Sequence, residues 1–117
     1  TKMASFGLYS AASLTAVLGA IGSYVTGSGT ASTALFMTSA TATGESLNAA
    51  PLFASLQLSA SAHAGVASLP IIAILLTALP TLEANDKYTA ITIGLALGTI
   101  WLLLVIASGV VQIMITR

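Results

Sequence analysis

Three apolar runs dominate the pattern of hydrophobic and polar positions, and between them lies a region of small and hydroxylated residues. The first run covers residues 3–25 and the last covers 88–116. Either is long enough for a helix across the hydrocarbon core, which takes about 20 residues. In the first, Ala12, Ala16 and Ala20 recur four apart, a narrow stripe that another helix can approach closely. The last carries Gly94 and Gly98 in a GxxxG pattern, with Ala90 one turn earlier, a face expected to pack on another helix. A third run, 64–82, is interrupted by Pro70 and closed near Pro80. Pro70 removes a helical hydrogen bond, so a kink or break is expected there. Pro51 suits the first turn of a helix, where its missing N–H is not needed. Residues 56–64, LQLSASAHA, alternate with the period of a strand. A lone strand cannot cross a bilayer with its backbone unpaired, so this stretch is expected to be helical or partly unwound inside protein. The pattern predicts an all-α, polytopic helical membrane protein with a broken or re-entrant helix. Its 117 residues form one helical membrane region, with spans near 3–25, 64–82 and 88–116 and the break within 26–63.

The segment that decides function is YVTGSGTASTALF, residues 24–36, which follows directly on the first span. One reading is an extramembrane loop. The other is a broken helix whose non-helical backbone lines a cavity, tolerated at membrane depth only where protein or water satisfies the freed groups. Residues 3–44 carry no formal charge, which favours the second. Transporters bind anions at such breaks, where the N–H groups of a half-helix N-terminus and nearby hydroxyls replace the hydration shell of a carboxylate. Thr26, Gly27, Ser28, Gly29, Thr30 and Ser32 are therefore the candidate substrate contacts. Thr30 and Ser32 lead them, sitting just ahead of a helix-forming stretch as N-caps do.

Composition sharpens this picture. The chain is 56% hydrophobic and only 5% charged, against roughly 25% charged in an ordinary soluble domain. Its three cations balance three anions, giving no electrostatic reason to expect nucleic acid as a partner. The lipid bilayer is the expected solvent. With no cysteine, one histidine and three scattered carboxylates, neither a disulfide framework nor a metal site is expected, and no cofactor is implied. No nucleophile–base pair, phosphate loop or close carboxylate pair suggests an enzyme. His63 falls with Ser55 and Ser59 on one helical stripe. It is either a packed histidine bonded to a neighbouring carbonyl or hydroxyl, or a proton-coupling residue, since imidazole as a class titrates near neutral pH. Glu45 lies in the polar stretch TATGESLN and reads first as a solvated turn residue, second as a proton-coupling acid. LEANDK, residues 82–87, reads as an aqueous loop. Residue 1 is Thr, so further chain is expected upstream.

The stretch LGAIGSYVTGSGTASTALF resembles the signature of the L-lactate permease family, in which TGS-x-T-x-S is followed by an apolar pair ending in Phe. The resemblance continues through Pro51, Gln57 and a small-residue stretch to Pro70. It covers about residues 15–75 well, and the last helix in character only. It implies the C-terminal part of a transporter in the plasma (inner) membrane, moving a small monocarboxylate such as lactate or glycolate with a proton. It adds Gln57 to the candidate substrate contacts, and implies other transporter segments or identical subunits as partners. The family often has Asn where this chain has Thr33, a departure that bears on substrate choice. A second reading needs no transport: a small self-assembling membrane subunit, pilin-like or accessory, built on the small-residue faces.

Overall fold

A computed structural model describes residues 2–79, 81 and 83–116. Among them the chain forms five helices: α1 Lys2–Thr26, α2 Gly29–Ser46, α3 Ala50–Val66, α4 Leu69–Ala78 and α5 Ala84–Thr116. The described residues contain no strand. The helices build an elongated bundle of 58 × 23 × 17 Å. Three stretches are long and apolar enough to cross a membrane: Phe6–Thr26, Ala50–Ala78 and Ala84–Thr116.

Each helix boundary has a local cause. α1 ends because Gly27 adopts a left-handed φ of 72°, which glycine reaches without a Cβ penalty. Ser28 is then extended, and its Oγ accepts the N–H of Ala31 at 3.2 Å, the N-cap that starts α2. At the other end of α2, Asn48 takes φ 54°. Its N–H reaches the Glu45 carbonyl at 3.1 Å, and the Ala49 N–H reaches that of Gly44 at 2.7 Å. This Schellman pair satisfies two orphan carbonyls and turns the chain sharply into α3. Pro51 lies in the first turn of α3.

The observed elements differ from the expected spans in three places. The run 64–82 is not one helix: α3 stops at Val66, the chain breaks at Ala67 and Ser68, and Pro70 sits in the first turn of α4. The proline thus starts a helix rather than kinking one, because there its missing N–H costs nothing. α4 alone has 10 residues, too few to cross, so the candidate crossing Ala50–Ala78 draws on α3. The expected re-entrant stretch 26–63 is, beyond its break at Gly27 and Ser28 and the turn at 47–49, regular helix in α2 and α3, the alternating residues 56–64 included. Likewise, residues 84–87 of the expected loop form the first turn of α5. The Glu83 carbonyl accepts the N–H groups of Asp86 and Lys87, and Asp86 suits the positive end of the helix dipole. Pro80 and Leu82 lie outside the described residues.

α1, α2 and α3 pack mutually, and α5 lies along α3 and α1. Lipid tails are as apolar as leucine, so helices in a bilayer associate through close contact rather than hydrophobic expulsion. The buried surface shows this. Ala12, Ala16 and Ala20 of α1 are buried against a core that includes Phe53, Leu56, Ala60 and Ala64 of α3. On α5 only Val105, Gly109 and Ile113 are buried, and its many other large apolar side chains face outward. A Cβ on Gly98 would stand 3.3 Å from that of Ala67, and one on Gly94 would stand 3.1 Å from Ile72 Cδ1. One on Gly109 would meet Leu56 at 2.8 Å, a contact outside the GxxxG pattern.

Leucine at both Gly94 and Gly98 should therefore lever α5 away from the junction of α3 and α4. Overpacking of this kind costs about 1–3 kcal/mol, so thermal unfolding in detergent should occur at clearly lower temperature. The outward-facing variant Leu103→Ala should melt near the parent. Unchanged melting of the double leucine variant would mean that α5 does not rest on this face.

Candidate functional site

Three helices meet just before the first break, and they bury polar groups there. The carbonyl oxygen of Gly19 on α1 accepts the Ser32 hydroxyl of α2 at 2.7 Å. Ser61 of α3 places its Oγ 3.1 Å from Ser32 Oγ and 3.3 Å from the same carbonyl. Gln57 Nε2 donates to Ser61 Oγ at 3.2 Å. Each hydroxyl has one proton, and Ser32 gives its own to the carbonyl. The consistent direction is Gln57 to Ser61 to Ser32 to Gly19, a relay that ends on a backbone acceptor. Gln57, Ser32 and Ser61 are all enclosed, and Gln57 Oε1 has no partner.

This approach depends on missing side chains. A Cβ on Gly22 would lie 2.6 Å from both Ser32 Oγ and Phe36 Cε2. One on Gly29 would lie 2.9 Å from the Ser61 carbonyl oxygen, and one on Gly19 would lie 3.0 Å from that of Gln57. The glycines let three backbones close on one another, and the hydroxyls cross-link them.

The structure divides the expected substrate contacts. Ser32 and Gln57 come together in the relay, joined by Ser61. Thr26 and Ser28 serve the turn itself: Thr26 Oγ1 donates to the Gly22 carbonyl at 2.8 Å and accepts the Ser28 N–H at 3.2 Å, while Ser28 caps α2. Gly27 supplies the turn and Gly29 the close contact with α3. Thr30 is exposed, on an open groove shared with Gly29, Thr33, Leu58 and Ala62. The first N–H groups of a helix have no intrahelical acceptor. Ser28 takes that of Ala31, leaving those of Gly29 and Thr30 without a helical partner at the break.

The two candidate proton carriers lie elsewhere. His63 is exposed, two residues and so about 200° around α3 from Ser61. Its Nδ1 stands 2.7 Å from the Ser59 carbonyl oxygen. That oxygen only accepts, so Nδ1 carries the hydrogen. The ring stacks on Trp101 of α5, with centroids 4.6 Å apart. Glu45 is exposed in the last turn of α2, at the end of that helix away from the break. Among the described residues, no group of three or more His, Cys, Asp or Glu is placed to hold a metal.

The second break lies against the first. A Cβ on Gly27 would be 3.0 Å from Pro70 Cβ and 3.5 Å from Ser68 Oγ. On the other side, a Cβ on Gly65 would be 2.9 Å from Ser23 Oγ and 3.5 Å from the Gly29 nitrogen. Ser23 and Ser68 are fully enclosed, at 0% exposure, and neither hydroxyl has a partner. Sequence reasoning missed Ser23, Ser61 and Ser68. Ser61 stands one turn after Gln57, and Ser68 stands two before Pro70, the one N-cap cue available. Ser23 continues the Ala12, Ala16, Ala20 stripe by one turn, a signal for burial but not for a free hydroxyl. No family model, curated protein or solved structure matches the chain.

The relay should be a stability element. Ser32→Ala removes a donor to Gly19 and an acceptor for Ser61. A net hydrogen bond contributes about 0.5–1.5 kcal/mol, and inter-helix bonds in membranes average about 0.6 kcal/mol. Ser32→Ala should lower stability by roughly that amount in detergent unfolding. Thr30→Ala, on the open groove, should change it little.

Proposed function

We propose that this chain carries a small monocarboxylate, lactate- or glycolate-like, across the plasma (inner) membrane together with a proton. The observation that carries this reading is the helix break at Gly27 and Ser28 in a chain otherwise fit for lipid. It leaves unpaired N–H groups beside buried hydroxyls, between helices held close by glycine. Such a terminus favours negative charge. Residues 3–44 offer no cation to neutralise a carboxylate, so balance comes from the helix dipole and the symported proton. The resemblance of TGSGTAS and its flanks to the L-lactate permease family supports the same substrate class. His63, with Nε2 not engaged by Ser59, is the proposed proton carrier; Glu45 is the weaker alternative, being solvated at the far end of α2.

One observation favours a second reading, assembly without transport. α5 spends most of its surface on outward apolar side chains, a face that suits further membrane segments or copies of the chain as well as lipid.

The discriminating experiment is uptake of labelled L-lactate and glycolate into vesicles containing the full-length protein, with the interior alkaline. Accumulation should follow the proton gradient and collapse with an ionophore. His63→Gln should abolish gradient-driven accumulation while keeping exchange of internal for external substrate. Vesicles that move neither acid would overturn the transport reading in favour of assembly. Intact accumulation in His63→Gln would remove His63 from the coupling.

A further inference from the structure

We infer that the two helix breaks form a single carboxylate seat, in which Ser23 and Ser68 are the hydroxyl donors. The inference rests on the transport reading and relocates its binding residues. Two N-termini converge at the joint, those of α2 and α4, which are 18 and 10 residues long. Gly27 packs on Pro70 with 3.0 Å between its Cβ position and the proline Cβ, which brings the breaks to one level. Each half-helix N-terminus carries partial positive charge and unpaired N–H groups. Paired discontinuous helices that aim such ends at an anion are a recurrent transporter device.

Two side chains mark the seat independently of the helix ends. Ser68 is the N-cap of α4, yet its side chain makes no capping bond. Its hydroxyl is buried without a partner beside Gly27. Ser23 is likewise buried without a partner, on the far side of the joint, where Gly65 packs against both it and the start of α2. An unsatisfied buried hydroxyl is costly and rare, and here two flank the same junction. A carboxylate, with two oxygens that only accept, is the ligand chemistry that suits two such unspent donors. The hydroxyls of Ser32 and Ser61, by contrast, are already committed to the relay.

The seat is closed in this conformation. Opening it falls to α4, which is short, joined to α3 by two non-helical residues, and anchored by one buried side chain, Ile72. Swinging α4 about Ala67 would lift Pro70 off Gly27 and uncover the Ser68 hydroxyl.

The test compares labelled L-lactate uptake in vesicles of the full-length protein, at matched protein levels, with thermal melting of each variant. Ser23→Ala and Ser68→Ala should each raise the half-saturation concentration about tenfold, as expected for a lost hydrogen bond to a charged group. Their melting temperatures should hold or rise, because no bond of the substrate-free protein is lost. Ser68→Thr, which keeps the hydroxyl, should stay near the parent, and so should the outward-facing variant Leu103→Ala. If the parent transports and both alanine variants keep its half-saturation within about twofold, the seat is wrong and the transport reading stands. If uptake and melting fall together, the two serines are structural and the seat is again wrong. If the parent moves no lactate or glycolate, the transport reading fails and takes the seat with it.

Discussion

The carbonyl oxygen of Gly19 is where three helices are tied together, and the arrangement of the breaks depends on that tie. A hydrophobic driving force between helices is weak in lipid, so position must come from close contact and a few inter-helix hydrogen bonds. Gly19, Gly22 and Gly29 allow the contact, and the hydroxyls of Ser32 and Ser61 convert it into a fixed register through one shared acceptor. With α1, α2 and α3 locked in this way, the end of α1, the start of α2 and the end of α3 all arrive at one place.

That convergence separates two kinds of hydroxyl that a sequence shows as one. Ser32 and Ser61 spend their bonds on each other and on Gly19, and so build the scaffold. Ser23 and Ser68 are enclosed but unspent. A scaffold that left every polar group satisfied would have no free donor to offer a substrate. One with many unspent groups would not hold its register. The division suits the proposed seat, whose walls must hold their register while its donors stay available.

The fold was legible where the sequence uses strong signals. Long uncharged runs give the helices and their membrane character, the Ala12, Ala16, Ala20 stripe gives the packing face of α1, and TGSG gives the first break with its glycine turn and serine cap. The second break was harder: Pro70 marks its neighbourhood, but the chain parts two residues earlier, at Ala67 and Ser68. The rotation of α3 was not legible either. With small residues on every side, it lacks the polar–apolar contrast that shows which face turns inward. This is why the burial of Ser61 on α3 is not legible, while Thr30, prominent in the motif, lies on an open groove. The stripe on α5 was half visible: Gly94 and Gly98 advertise themselves, whereas Gly109 meets Leu56 through no local pattern.

The pairing of the two breaks is the claim on which the proposed seat and the proposed swing of α4 rest. Because the chain has no cysteine, a pair introduced as Gly27→Cys with Pro70→Cys reports on it, read beside Gly27→Ala, which carries the same strain at φ 72° without the thiol. The Cβ positions lie 3.0 Å apart, within small adjustment of the roughly 3.5–4.5 Å that a disulfide spans. Mild oxidation in the membrane should form an intramolecular bond that stops the proposed lactate uptake, and reduction should restore it. If this pair fails to link while Ala67→Cys with Gly98→Cys, whose Cβ positions are 3.3 Å apart, links under the same conditions, the breaks are not paired and the account is wrong.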